Sequence, residues 1–110
     1  MNVLVTGATG FLGQNLIDHL LEKEFRVTAL VRSKDKAKMI PDGVKIIYGD
    51  ITEPESLDFS GQDVVFHLAG FVGYSKSQRE IMEKVNVEGT RNVLQSVRKY
   101  NVQRLIHMSS

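Results

Sequence analysis

The sequence predicts an α/β fold: a doubly wound parallel sheet of five strands in the order 3-2-1-4-5. Three observations carry that expectation. Short apolar, β-branched runs recur five times along 110 residues and alternate with helix-like segments. The first run, Val3-Leu4-Val5, ends at Thr6-Gly7 and is apolar throughout, as suits a strand covered on both faces. Strand, glycine turn, helix and strand then fit within about thirty residues, which makes a βαβ unit with a right-handed crossover.

Each element has its own justification. From Phe11 the period becomes helical, with Phe11, Leu12, Leu16, Ile17, Leu20 and Leu21 recurring on one side and Asp18, Glu22 and Lys23 on the other. Arg26 to Val31 reads as the second strand. Lys34 to Met39 is a short helix ended by Pro41 and Gly43. Val44 to Tyr48 is the third strand, stopped at Gly49-Asp50. Glu53 to Leu57 suits a helical turn, with Thr52 as its N-cap and Pro54 tolerated in the first turn. Asp63 to Leu68 is the fourth strand, followed by a loop through Gly70, Gly73 and Tyr74. The longest helix runs from about Ser77 to Lys99, with Ile81, Val85, Val93, Leu94 and Val97 on its buried face. Val102 to Met108 is the fifth strand, and Ser109-Ser110 follow. No repeat, linker or low-complexity stretch interrupts this pattern.

Composition narrows the function classes. The chain is 42% hydrophobic and 25% charged, too balanced for disorder. Fourteen Lys and Arg against 13 Asp and Glu leave a formal charge of +1, no electrostatic footprint for nucleic acid. Cysteine is absent, which rules out disulfides, thiolate catalysis and thiolate metal sites. His19, His67 and His107 lack a helical pair spacing, so no metal site is expected. No apolar run approaches a membrane span, and no signal peptide is apparent before the first strand. A cytoplasmic single domain over 1–110, binding neither nucleic acid nor membrane, is the expectation. Because a central strand ends the sequence with no covering helix, the sheet is expected to be truncated there, as an N-terminal piece of a longer protein.

The most informative segment is the first turn, Thr6-Gly7-Ala8-Thr9-Gly10-Phe11-Leu12-Gly13, with glycines at three-residue intervals. Gly7 suits a positive φ. Gly10, lacking a Cβ, lets a pyrophosphate approach the backbone, and Gly13 lets the helix lie tight against the sheet. The helix start offers free N–H groups and a positive dipole end to phosphate. The plain alternative is a tight turn with no ligand.

TGATGFLG after the first strand resembles the extended or atypical branch of the short-chain dehydrogenase/reductase superfamily, with its Rossmann-type fold. Gly49-Asp50, His67-Leu68-Ala69-Gly70, Asn86-Val87-Glu88-Gly89-Thr90 and the terminal serine pair match in the same order. The chain is similar to dihydroflavonol-reductase-like and nucleotide-sugar epimerase/dehydratase members. The resemblance implies a cofactor site formed by Gly7, Thr9, Gly10, Phe11, Leu12, Gly13, Arg32, Asp50, Ile51, Leu68, Ala69, Gly70 and Asn86. Phe11 and Leu12 would give backbone N–H groups to the pyrophosphate, Asp50 would accept from the adenine amino group, and Ala69 and Gly70 would let ribose pack on backbone. Asn86 would lie near the nicotinamide. Gly89 needs a packing reason, such as close approach to the sheet. The plain alternative for Asp50 is an Asx turn, and for Asn86 helix-on-sheet packing.

Arg32 stands at the end of strand two, where NAD enzymes often place an acid for the ribose hydroxyls. A guanidinium holds a 2′-phosphate bidentately, so NADP is the expected cofactor, with NAD possible. Solvated charges at Arg32 and Lys34 are the alternative. Ser110 aligns with the family's catalytic serine, which hydrogen-bonds the reacting oxygen of the substrate. The family's acid/base tyrosine, with a lysine four residues later, is expected beyond residue 110, because Tyr48, Tyr74 and Tyr100 are followed at that spacing by Thr52, Gln78 and Arg104. The implied activity is hydride transfer between nicotinamide and a carbonyl or alcohol of a small-molecule substrate, in a possible homo-oligomer, with the 110 residues alone inactive. An epimerase or dehydratase using bound NAD(P) and a non-catalytic dinucleotide-binding module are the alternatives.

Overall fold

A computed structural model of the chain describes residues 1–69 and 75–109. Five parallel strands form one sheet in the order β3-β2-β1-β4-β5: β1 Asn2–Thr6, β2 Arg26–Val31, β3 Lys45–Tyr48, β4 Val64–Ala69 and β5 Arg104–Ser109. Helix α1 spans Phe11–Glu22, α2 Lys34–Ala37 and α3 Lys76–Lys99, with a 3₁₀ turn at Pro54–Ser56. The predicted order and class are those observed. Val5 of the central strand sits in register with Ala29 on one side and Phe66 on the other.

Alternate residues of each strand feed two cores. Val3, Val5, Val27, Ala29 and Val31 pack under Ile17 and Leu20 of α1. Leu4, Leu30 and Val65 pack with Val93 of α3 and with Leu57 and Phe59, both fully buried. Those last two belong to a coil, which covers this face of the sheet where a helix would otherwise lie.

Both long helices end in the same way. Phe25 N–H donates to Leu20 O and Glu24 N–H to Leu21 O, with Glu24 at φ 62°. Val102 N–H donates to Val97 O and Asn101 N–H to Arg98 O, with Asn101 at φ 55°. These are Schellman closures, which reverse the chain into the next strand. The crossovers through α1 and α3 thereby return the chain to the amino edge of the sheet.

Several expectations are corrected. Thr52 does not cap the 54–56 turn; Glu53 holds that position and no side chain bonds there, because the Thr52 hydroxyl is committed to Asp50. Helix α3 begins at Lys76, capped by Ser75, whose Oγ accepts from Gln78 N–H. Gly89, Val93 and Ser96 are its buried residues. Ile81 and Leu94, expected on that face, are 63% and 38% exposed. Leu94 stands one residue from Val93, about 100° around the helix. Ile81 lies on an overhang: 24 residues of helix rise about 36 Å, whereas six residues of β4 extend only about 20 Å. The first turns of α3 thus project past the carboxyl edge of the sheet. Phe11 (86% exposed) and Leu12 likewise stand outside the core, because the first turn of α1 leaves the sheet at that edge. Among the described residues, no helix is long and apolar enough to cross a membrane.

Candidate functional site

The glycines of the first turn serve three different purposes. Gly7 has φ +66°, and a Cβ there would lie 2.6 Å from the Leu68 carbonyl oxygen. Backbone conformation and close packing both require it. A Cβ on Gly13 would collide with the Gly7 carbonyl oxygen and approach Ala8 to 2.9 Å. Gly13 therefore seats the helix on its own turn, not on the sheet as expected. Gly10 is the exception. Its φ is −75°, and a Cβ would meet only Gly7 O, at 3.5 Å. Among the described residues there is room for a Cβ there, so the fold itself does not demand glycine at this position.

Gly10 is also the N-cap of α1, and no side chain caps that end. Gln14 N–H donates to Gly10 O, but the amides of Phe11, Leu12 and Gly13 have no acceptor among the described residues. No acid stands in the first turn of α1. A helix start with free amides and no competing carboxylate favours an anion.

Beside this turn lies an open cleft of about 440 Å³ at the carboxyl edge of the sheet. It brings together Gly7, Thr9, Arg32, Asp50, Ile51, Leu68 and Asn86 of the expected site residues. Gly10, Phe11, Leu12 and Gly13 continue the turn outside this lining. Ala69 ends β4 in register with Ser109. Gly70, Tyr74 and Ser110 lie outside the described residues.

At the end of β2, Arg32 is joined in the cleft by Lys36, not by Lys34. Sequence reasoning missed Lys36. Ser33 Oγ accepts from Lys36 N–H at 3.3 Å and caps the four-residue α2, whose single turn brings Lys36 back over the strand end. The available signal was the spacing itself, a serine three residues before a lysine at a helix start. Met82 and Val85 of α3 also line the cleft, on the overhanging part of that helix.

Asp50 forms the Asx turn weighed as its alternative. Its Oδ1 accepts from Thr52 N–H at 2.9 Å and from the Thr52 hydroxyl at 2.8 Å. The backbone bond from Thr52 is the largest influence holding its carboxyl below the usual range; burial opposes it, and the Thr52 hydroxyl and the Arg32 charge assist. Oδ2 has no protein partner among the described residues, so the turn leaves one oxygen free to accept from a ligand. Ile51 is held from two sides. Its carbonyl accepts from Asn92 Nδ2 at 2.8 Å, and its side chain fills the space left by Gly89, where a Cβ would come within 2.7 Å of Ile51 Cγ1. Gly89 thus packs on the loop after β3, not on the sheet. The Asn86 side chain, half-buried, has no hydrogen-bond partner among the described residues.

His67 is fully buried and bonded at both ring nitrogens, to Thr6 and to Thr90. Burial first, and the neighbouring His107 second, push its pKa down to about 4. It is a packed neutral imidazole.

The parts fit a dinucleotide: free amides beside an open glycine for the pyrophosphate, a free carboxylate oxygen for an exocyclic amine, and two cations at the ribose end. A family model described as "NAD dependent epimerase/dehydratase family" matches residues 3–110. The chain is 38% identical over 113 residues to sterol demethylase protein B of Methylococcus capsulatus, covering 100% of this chain and 34% of the relative. It is 36% identical over 110 residues to a putative dihydroflavonol 4-reductase of Synechocystis, covering 96% and 32%. Among solved structures, a yeast methylglyoxal/isovaleraldehyde reductase complexed with NADPH superposes with a TM-score of 0.77 at 27% identity, covering 100% of this chain and 37% of that one. A Thermus thermophilus UDP-glucose 4-epimerase complexed with NAD gives 0.81 at 29% identity, covering 96% and 36%. The chain therefore spans about a third of the length of the proteins it matches.

Proposed function

Since this chain belongs to the NAD dependent epimerase/dehydratase family, matched over residues 3–110, we propose that it forms the cofactor-binding part of an NADP(H)-dependent oxidoreductase acting on a carbonyl or alcohol. The observation that carries this reading is the cleft itself, which runs from an acid-free helix start to two cations, Arg32 and Lys36. An acid at the end of β2 would accept from both ribose hydroxyls. Two cations there instead complement a 2′-phosphate, with Arg32 bidentate and Lys36 as a point charge. Superposition on structures complexed with NADPH and with NAD supports a nicotinamide dinucleotide, and the choice of NADP(H) rests on the two cations.

A bound nicotinamide dinucleotide supplies hydride transfer to or from a carbon that bears oxygen. The residues of this chain do the binding and the positioning. The amides of Phe11, Leu12 and Gly13 hold the pyrophosphate, and Gly10 leaves it room. Asp50 Oδ2 accepts from the adenine amino group, while Ile51 and Leu68 give apolar walls. Ala69 lets the ribose lie against backbone, a role the family resemblance extends to Gly70, and Asn86 serves the nicotinamide end. Ser110 donates to the reacting oxygen of the substrate and polarises it.

Likeness to an NAD-bound epimerase supports a second reading, an epimerase or dehydratase that keeps its cofactor. Calorimetry tests the cofactor assignment. The protein should bind NADP(H) more tightly than NAD(H), and Arg32→Asp should shift that preference by about 1–3 kcal/mol, the scale of a charge-assisted hydrogen bond. Equal affinities in the wild type overturn the NADP assignment, and binding of neither overturns the dinucleotide site.

A further inference from the structure

His67 is a buried group that nothing above uses. It stands on β4 with both nitrogens engaged: Nδ1 lies 2.6 Å from Thr6 Oγ1 and Nε2 lies 2.9 Å from Thr90 Oγ1. Thr6 ends β1 directly before Gly7, and its Oγ1 also accepts from Leu68 N–H at 3.3 Å. Thr90 follows Gly89, against which Ile51 packs, and stands one helical turn after Asn86. One imidazole therefore ties together the glycine turn, the end of β4 and the helix that carries Asn86.

A space that needed only filling would be filled without cost by an apolar side chain, whereas a buried polar ring must be satisfied at both ends. A neutral imidazole has one N–H and one bare nitrogen. It can join two hydroxyls by donating to one and accepting from the other. Such bonds fix distance and direction more narrowly than apolar contact does. The burial that keeps His67 neutral also keeps this donor–acceptor pairing intact.

We propose that His67 is a positioning residue for the dinucleotide cleft: through Thr6 and Thr90 it fixes the glycine turn relative to α3, so that Gly7, Thr9 and Asn86 face one ligand. This rests on the dinucleotide reading above. The sharpest test acts on Thr90, which does not line the cleft. Thr90→Val removes the hydroxyl and keeps the shape, and Thr90→Ser restores it. NADP(H) and NAD(H) are titrated by calorimetry into the wild type, these two variants and His67→Asn, with melting temperature measured on each. Val65→Ala, a cavity in the same strand without a polar link, serves as a control for lost stability. Losing one buried hydrogen bond from the frame should weaken dinucleotide binding by about tenfold in Thr90→Val and His67→Asn. Thr90→Ser should stay within about threefold of wild type, and Val65→Ala should melt lower without weakening binding to that degree. Undiminished binding in Thr90→Val and His67→Asn overturns the proposal while leaving the dinucleotide site intact. So does a loss in Val65→Ala as large as theirs. A wild type that binds neither nucleotide removes the site and the positioning role together.

Discussion

At the scale of single residues, the first turn separates glycines the fold needs from one whose space the fold leaves open. Gly13→Ala forces a Cβ into Gly7 O and Ala8, and both obstacles are backbone, which cannot swing aside as a side chain can. Overpacking of this kind costs about 1–3 kcal/mol or more. The Cβ of Gly10→Val meets nothing nearer than 3.5 Å, so its stability cost should be about 1 kcal/mol, the difference between a fair and a poor N-cap. Gly10→Val should therefore melt close to wild type and lose dinucleotide binding, whereas Gly13→Ala should melt well below it. A Gly10→Val protein that titrates like the wild type would place the pyrophosphate elsewhere. The three-residue spacing made this turn legible in the sequence, because strand, glycine and helix start leave few other uses for it. The positive φ of Gly7 and the open space at Gly10 were legible too; what lies opposite Gly13, the turn's own backbone and not the sheet, was not. Lys36 was overlooked for a related reason: its place in the cleft follows from the Ser33 cap that reverses the chain, not from nearness to Arg32 along the sequence.

At the scale of elements, alternation of apolar runs and helical period gave every strand and helix, because parallel strands buried on both faces leave an unmixed signal. Which face of α3 is buried was harder to read. Periodicity assigns a face as if the whole helix rested on the sheet, and Ile81 belongs to the turns that overhang it. The same overhang carries Met82, Val85 and Asn86 to the cleft. Gly89 marks the crossing between the two regimes, where Ile51 of the loop after β3 packs against α3. Gly89→Ala gains about 1 kcal/mol in helix propensity and costs about 1–3 kcal/mol in crowding against Ile51, so a net destabilisation of up to about 2 kcal/mol is expected. Ile51→Ala removes the two crowded carbons and leaves only the Ile51 Cβ position, 3.3 Å from the new methyl. In a double-mutant cycle read by urea unfolding, the pair should therefore lose less than the sum of the singles. Strict additivity would mean that Ile51 already has somewhere else to go. In that case, its seat beside Gly89 would not be what holds it against the cleft.

At the scale of the whole molecule, the polar groups that matter lie where the strands end, and two of them couple global stability to pH in separate windows. Asp50 is held below its ordinary 3.8 by bonds from Thr52. Its contribution is complete above pH 3.8 and disappears only as pH falls through its still lower folded value. His67 works in the opposite sense. Its folded value of about 4 lies below the ordinary 6.5, so between those limits the unfolded chain takes up a proton that the folded chain refuses. Stability should be flat above pH 6.5, fall as the solution is acidified towards 4, and level off below. At about 1.4 kcal/mol for each tenfold change, the drop from pH 7.5 to 4.5 is about 2.5 kcal/mol. That is a large part of the roughly 5–15 kcal/mol that holds a domain of this size together. Urea unfolding at pH 7.5, 6.5, 5.5 and 4.5 measures it, and Asp50 adds nothing across that range. His67→Asn, which does not titrate, should remove most of the slope. A wild-type profile as flat as that of His67→Asn would show that the folded chain accepts the proton after all, with both imidazole N–H groups donating to Thr6 and Thr90. The imidazole would then be bound by its two threonines as firmly charged as neutral, and its burial on β4 would exact no penalty in acid.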